Sequence, residues 1–340
     1  MINFIKSKIF YPMPKSIIEN KTDILKNSPT KDLIFRISKF GNSNLDKIFY
    51  VIKRYPGAGL FSNLTFVLNH LKIAEDFGFI PIVDMQNFPS WYSEKNELFG
   101  TQNSWEYYFE QVSEYKLDEV YKSKSVIFTD NIYHKSFTRL IFEDEKLIEL
   151  AKKYVKIKPH IYKKYNEFFE KNLKNKKILG VYLRGGEFRT IPNHDYPPTN
   201  KQIVRKVDEI IKNEKIDLIF LSSKEIEHVK LFEKQYGKNL VYYDSFRSKK
   251  DFFTFYPRKN HRYLLGEEIL CEMLMLSQSD YLIYSLSNVS QASIFFNLNK
   301  SQKRHYINNG INFSNRIAAR FSWFIKAILP EAIGGFKKNI

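Results

Sequence analysis

The run Ile178-Leu-Gly-Val-Tyr-Leu-Arg-Gly-Gly-Glu-Phe-Arg189 sets the architecture of the chain. A mostly apolar stretch, Ile178 to Leu183, stops abruptly at Arg184, Gly185, Gly186 and Glu187. A short apolar run bounded by a glycine pair fits a buried strand of a parallel sheet. Ligands of open α/β sheets bind just past the carboxyl ends of such strands. An arginine there presents a fixed charge and a planar fork of donors, which suits phosphate oxygens. The glycines let backbone approach a ligand and offer amide donors with no side chains in the way. Glu187 adds a carboxylate at the same rim. A plain strand-to-loop turn with a surface ion pair accounts for these residues about equally well, so the rest of the chain decides between the two.

Two more strand ends downstream have the same character. Leu218 to Leu221 reads as a strand that ends in Ser222-Ser223-Lys224-Glu225. Tyr281 to Tyr284 ends in Ser285-Leu-Ser287-Asn288-Val289-Ser290-Gln291. Between them lie helical patterns at Lys201–Asn213, Ile226–Tyr236 and Leu264–Ser277, and a strand at Leu240–Tyr243. The first of these helices turns Ile203, Val207, Ile210 and Ile211 inward. Alternating strand and helix predicts an α/β domain with a mostly parallel sheet. All three polar ends then fall on one edge and form a pocket of hydroxyls, amides and an arginine. That suits a nucleotide diphosphate bound without metal. Each serine pair alone is more often a helix N-cap; the coincidence of three favours a ligand site.

Upstream, Ile48–Ile52 predicts a strand, Pro56-Gly57-Ala58-Gly59 a turn, and Leu60–Phe77 a helix. Leu64, Val67, Leu68, Leu71 and Ala74 share one face of that helix, and Gly78 stops it before a strand at Ile80–Asp84. The turn at Gly57 and Gly59 is a plausible backbone site for an anion or polar ligand. It lacks the third glycine of a dinucleotide fingerprint. Asn63 sits in the first helical turn, where it either faces a ligand or caps the helix. Trp91, Trp105, Tyr107, Tyr108 and Phe109 follow in a polar connection. Sugar rings stack on such aromatics, but a small satellite core is the stronger expectation. Val126–Thr129 reads as a strand, Glu143–Phe169 as one basic helix, and Lys171–Lys177 as the seam between domains.

The domain expectation is a basic, proline-interrupted lead-in over 1–45, an N-terminal Rossmann-like domain over 46–172, a second over 173–310, and a tail over 311–340. In the tail Phe321, Phe324, Ile325 and Ile328 share one helical face, with Arg316, Arg320 and Lys326 elsewhere. A basic amphipathic helix of this kind is either a membrane-surface anchor or a helix packed on the first domain.

Bulk properties narrow the class. At 340 residues with 43% hydrophobic and 16% aromatic content, the chain builds real cores and is not disordered. Its lone cysteine, Cys271, rules out a disulfide framework. No zinc-type Cys/His spacing occurs, and no metal site is expected. No stretch approaches the ~18 to 20 apolar residues of a membrane span, and no signal-peptide core is seen. A cytoplasmic protein is expected, peripheral at the inner membrane if the tail is an anchor. The formal charge of +17, from 54 basic and 37 acidic residues, implies an anionic partner. Nucleic acid would be one such partner, but the lysines are spread over many helices and no nucleic-acid motif is present.

Three segments carry a resemblance to a known family. Gly57-Ala-Gly-Leu-Phe-Ser-Asn63 is similar to a Gly-rich turn before the first helix that often ends in Asn. Gly180-Val-Tyr-Leu-Arg184-Gly-Gly-Glu-Phe188 looks like a strand ending in arginine and an acid. Leu276-Ser-Gln-Ser-Asp-Tyr-Leu-Ile-Tyr-Ser-Leu-Ser-Asn-Val-Ser290 is similar to Leu-Ser-x-Ala/Cys-Asp-Phe/Tyr-Leu followed by a serine-rich turn, and is the most specific of the three. Together they resemble the fucosyltransferase-like glycosyltransferases, which include nodulation, core α-1,6- and protein O-fucosyltransferases. The resemblance implies a GT-B fold, two Rossmann-like domains facing across a cleft, the first binding acceptor and the second nucleotide sugar. It implies an inverting, metal-independent transfer with no cofactor, using GDP-fucose as donor and a glycan or lipid-linked acceptor in bacterial surface polysaccharide synthesis.

The resemblance further implies that Arg184 holds the diphosphate, with Gly185 and Gly186 beside it. Ser222, Ser223, Ser287, Asn288, Val289, Ser290 and Gln291 would contact base, ribose or phosphate. Asn63 would reach across the cleft to a sugar, and Glu187 would bind donor or act as base. Two departures stand out. Gly185 occupies the place of a second arginine, and the acid is Glu187 where the family has Asp. A different activated sugar, such as a heptose, is therefore the alternative donor.

Overall fold

Apolar strands and periodic helices condense into two α/β units in a computed structural model that describes residues 22–24, 35–129, 144–248, 253–254 and 256–337. One unit takes the described residues within 1–161 and 252–267, and the other those within 162–251 and 268–340.

In chain order the first unit contains β1 (Thr22–Ile24), β2 (Arg36–Ser38), β3 (Phe49–Ile52), α1 (Leu60–Phe77), β4 (Ile80–Val83), α2 (Leu117–Val120), β5 (Val126–Phe128) and α3 (Glu145–Tyr154). Its sheet runs β1-β2-β5-β3-β4, with β3 parallel to both β4 and β5. The strand-turn-helix-strand unit read from sequence is present. α1 buries Leu64, Val67, Leu68, Leu71 and Ala74 and ends at a left-handed Gly78 (φ 67°). The expected lead-in contributes more than irregular chain. Its described part supplies β1 and β2, with β2 antiparallel to both β1 and β5. Most of 1–34 lies outside the described residues.

The basic segment after residue 143 forms two helices where one was expected. α3 ends at Tyr154, and α4 (Pro159–Asn172) starts at a proline, which disfavours helix in the residue before it. The break is also held in extended form. Glu110 N donates to Lys156 O (2.7 Å) and Lys158 N to Tyr108 O (2.8 Å). The seam between units falls between Ile161 and Tyr162, before the expected boundary. The reason is apolar. Phe168 on α4 packs 6.3 Å from Phe220 and 5.1 Å from Tyr243, both in the second unit.

Trp105, Tyr107, Tyr108 and Phe109 are buried, so they form a satellite core and not an acceptor wall. Residues near 260 complete it. Tyr263 stacks on Tyr108 at 5.8 Å, its carbonyl accepts the Tyr108 hydroxyl (2.9 Å), and Phe253 lies 5.2 Å from Trp91. Gly266 is required there, because a Cβ would come within 2.3 Å of the Tyr108 hydroxyl.

The second unit continues with β6 (Ile178–Leu183), α5 (Asn200–Asn213), β7 (Leu218–Ser223), α6 (Ile226–Tyr236), β8 (Leu240–Val241), α7 (His261–Gln278, from Glu268 onward), β9 (Tyr281–Tyr284), α8 (Asn288–Phe295), β10 (Lys303–Tyr306) and α9 (Arg316–Ile328). Every pairing in its sheet, β10-β9-β6-β7-β8, is parallel. Successive side chains alternate between faces. Leu179, Val181, Leu183, Ile219, Leu221, Tyr281 and Ile283 accordingly pack with Ile203, Val207 and Ile210 of α5 and with Val229 and Phe232 of α6. The tail does not form a unit of its own. α9 packs on the second unit, with Trp323, Tyr196 and Phe336 in one cluster and Trp323 Nε1 donating to Pro197 O (2.7 Å).

Candidate functional site

From β6 the chain moves outward to β7 and β8, then returns to lay β9 and β10 on the other side of β6. The strand order therefore reverses between β6 and β9. A crevice outside the carboxyl ends of the strands forms at such a reversal and is where open α/β sheets bind ligands. The three polar strand ends read from sequence are neighbours at this edge, because β9, β6 and β7 are adjacent.

Arg184 follows β6 directly. Its Nη1 donates to Leu286 O (3.0 Å) just past β9, which ties the two sides of the reversal together. The guanidinium lies 3.6 Å from the Phe188 ring centroid, so its plane is held by stacking. Directly after Leu286, α8 begins. Ser287 caps the helix by accepting from Ser290 N (3.0 Å), and Ser290 Oγ donates back to Ser285 O (2.8 Å). The first amides of α8, at Asn288 and Val289, give this rim a partial positive charge. Asn288 is exposed, and Val289 and Gln291 are half-buried. Ser285 Oγ is buried and has no hydrogen-bond partner among the described residues.

The structure separates residues that can touch a ligand from residues that build the rim. Arg184, Gly186, Glu187, Asn288, Val289 and Gln291 are at least partly accessible, while Ser222, Ser223, Ser287 and Ser290 are buried. The serine pair is a correction. β7 runs two residues further than the apolar pattern shows, so Ser222 and Ser223 are its last two rungs and point to opposite faces. Ser222 Oγ donates to Glu272 of α7 (2.6 Å). Ser223 Oγ shares a hydrogen bond with His228 Nδ1 of α6 (2.7 Å). Both hydroxyls are spent inside the protein. Ser287 and Ser290 likewise serve the α8 cap.

Glu187 is an exposed carboxylate paired with Lys224. The pair sits over buried Gly185, where an added Cβ would meet Glu187 Oε2 at 2.2 Å and Lys224 Cε at 2.3 Å. Gly186 N donates to the Glu225 carboxylate. The surface ion pair weighed from sequence is thus real, and it coexists with the arginine at the crevice.

Behind the rim lies a polar network that sequence reading missed. Buried Glu272 accepts from Ser222 Oγ and Ser245 Oγ, both at 2.6 Å, with Arg247 Nη2 at 3.8 Å. Arg247 donates in turn to the carbonyls of Ser223 (3.1 Å), Ser245 (2.9 Å) and Tyr243 (2.7 Å). It clamps the end of β7 to the segment after β8. Burial pushes the Glu272 carboxyl up, against the two hydroxyls and the guanidinium. Burial also pushes the His228 imidazole down, against the pull of Glu225. A sequence signal for the network existed, because Glu268 and Glu272 sit one turn apart in an apolar helix, and buried acids need partners.

The first unit has a reversal of its own, between β3 and β5. Gly57 (φ 81°), Ala58 and Gly59 form the turn there, and Gly59 caps α1 without a side-chain bond. Asn63 is 2% exposed, and the helix cap is Gly59 and not Asn63. Its Oδ1 accepts from Ala58 N (2.9 Å) and Arg54 Nη1 (3.3 Å), and its Nδ2 donates to Ala58 O (3.1 Å). The residue locks the turn from behind. The polar side chain next to this turn is Arg54, which also reaches Ser62 O (2.6 Å) and went unremarked in the sequence. Among the described residues no group of three or more His, Cys, Asp or Glu side chains is placed to hold a metal ion.

No family model and no curated protein sequence matches the chain. Its fold is similar to that of solved fucosyltransferases. The Bradyrhizobium fucosyltransferase NodZ aligns at TM-score 0.49 and 13% identity over 73% of this chain and 93% of that one. NodZ has also been crystallised with GDP, again at TM-score 0.49 and 13% identity, over 73% and 92%. POFUT1 in complex with GDP-fucose aligns at TM-score 0.45 and 12% identity over 78% and 99%.

Proposed function

We propose that this chain is a glycosyltransferase that takes a nucleotide-diphosphate sugar at the crevice between β6 and β9. The donor is GDP-fucose, and the acceptor is a glycan or lipid-linked saccharide of a bacterial surface polysaccharide, met on the cytoplasmic side. One observation carries this reading: Arg184, bonded to Leu286 O, lies beside the capped N-terminus of α8 where the strand order reverses. A full positive charge and a helix N-terminus together at one sheet edge suit a diphosphate. The motif resemblance of the same two segments supplies the sugar.

In the proposed inverting step the acceptor oxygen attacks the anomeric carbon from the face opposite the leaving group. The bond from that carbon to the diphosphate oxygen breaks, and its electron pair stays on the nucleotide. The acceptor proton passes to Glu187, once its ion pair with Lys224 opens. Arg184 stabilises the charge that grows on the diphosphate, and this fixed cation is why no metal is invoked. A donor pre-bound across the crevice also gives Ser285 Oγ a group to meet.

A thermal-shift panel of nucleotides and nucleotide sugars, run with a chelator present, tests the reading. GDP and GDP-fucose are expected to raise the unfolding midpoint by several degrees. Ligand at about 100 times its Kd adds about 2.7 kcal/mol. A shift with uridine, cytidine or thymidine species alone keeps the transferase and replaces the donor, as the Gly185 departure allows. No shift with any nucleotide refutes a nucleotide-sugar enzyme.

A further inference from the structure

The last helix is apolar on two opposite faces, and the fold uses one of them. Ala319, Ser322 and Trp323 of α9 are buried against the second unit. On the other side Ile317, Phe321, Phe324, Ile325 and Ile328 are 74%, 55%, 49%, 53% and 73% exposed. At 3.6 residues per turn these five fall within an arc of about 100°. They form one continuous stripe and not a scatter of single exposed residues. Soluble monomers seldom leave such a stripe uncovered. The helix also carries Arg316, Arg320 and Lys326 and no acidic residue. Arg316 and Arg320 lie along one edge of the stripe, where they meet whatever covers it.

We propose that this face of α9 docks on an anionic lipid bilayer. Bulky apolar side chains at the centre with cations at the margin match an acyl boundary topped by negative headgroups. A protein partner of the same shape would need acids placed to meet two arginines. A bilayer supplies negative charge everywhere along the edge. The helix lies on the membrane and does not cross it: it has 13 residues, and among the described residues no helix is long and apolar enough to span.

The buried face of α9 is tied to the turn that follows β6. Arg189, at the end of the short turn Gly186–Arg189 that follows Arg184, stacks its guanidinium 4.6 Å from the Trp323 ring centroid. Asn312 Nδ2 donates to Ile191 O (3.2 Å) and to Ala319 O (3.1 Å) of α9. Docking through α9 therefore holds the end of β6 at a fixed place relative to the lipid surface. That consequence suits a lipid-linked acceptor and rests on the proposed transfer, whereas docking itself does not.

The test is co-sedimentation of the full chain with vesicles, without nucleotide, so that its outcome is separate from donor binding. The protein is expected to pellet with vesicles that are about half phosphatidylglycerol and to stay in solution with phosphatidylcholine alone, with binding that weakens as salt rises. Replacing Phe321, Phe324 and Ile328 together by serine should lower binding about ten-fold or more, because apolar burial scales with area. The far-ultraviolet dichroism and unfolding midpoint should stay as in wild type, since all three side chains are exposed. The milder pair Arg316→Gln and Arg320→Gln should weaken binding to the anionic vesicles. A wild-type chain that ignores anionic vesicles overturns the proposal, as does a triple variant that binds as wild type does. So does a wild-type dimer, seen by sedimentation velocity, that the triple variant splits, because a second copy then covers the face.

Discussion

Arg184→Ala is expected to lower donor turnover about 10²- to 10³-fold, the usual loss when a preorganised group that stabilises leaving-group charge is removed. The fold should survive. Arg184 sits past the end of β6 and is half-buried, and its contacts include a bond to Leu286 O and a stack on Phe188. Losing these costs about 1 kcal/mol. Arg184→Lys keeps the charge but loses the planar fork that bridges to Leu286, so partial recovery is expected. Measuring nucleotide release alongside a denaturation curve separates the two effects. Wild-type turnover in a folded Arg184→Ala protein removes the arginine from the mechanism.

Glu272→Ala should give a large stability loss, about 3 to 5 kcal/mol, with no direct contact to donor. The carboxylate is the shared acceptor for Ser222 and Ser245 and the counter-charge near Arg247. Without it the buried Ser222 hydroxyl and the half-buried Ser245 hydroxyl lose their acceptor, and the Arg247 guanidinium loses a carboxylate 3.8 Å away. Glu272→Gln retains an acceptor oxygen and should cost less. The pH dependence follows from the direction of the shift. Burial raises this carboxyl above its ordinary value of 4.5, so the folded chain holds the proton more tightly than the unfolded chain. The contribution is therefore fully present below 4.5 and fades as pH rises through the raised value. The glutamine variant should lack that part of the slope. Denaturation followed by tryptophan fluorescence at several pH values reads both. A loss under about 1 kcal/mol for alanine means the network does not support the rim.

Local pattern carried the reading where one segment dictates its own structure. The β6 run, the periodic face of α1, and the polar turn after β9 all needed only neighbours in sequence, and each formed as expected. The three strand ends also met at one edge, because parallel alternation leaves few other places for them. What escaped depends on partners far along the chain. Ser222 and Ser223 looked like pocket residues because their burial is decided by Glu272, fifty positions away, and by a strand that outlasts its apolar residues. Asn63 looked like a ligand contact because nothing in the spacing reveals that the preceding turn folds back onto it. β10, Lys303-Arg-His-Tyr306, has no apolar signature because it is an edge strand. The domain seam moved because Phe168, inside a lysine-rich helix, answers to the second sheet.

Amide hydrogen exchange with and without GDP, in the presence of a chelator, asks whether the nucleotide sits where the strand order reverses. Slower exchange is expected at Arg184–Phe188 and Ser285–Gln291, with no comparable change at the turn around Gly57. Protection confined to other segments, or none at saturating GDP, contradicts a donor site between β6 and β9.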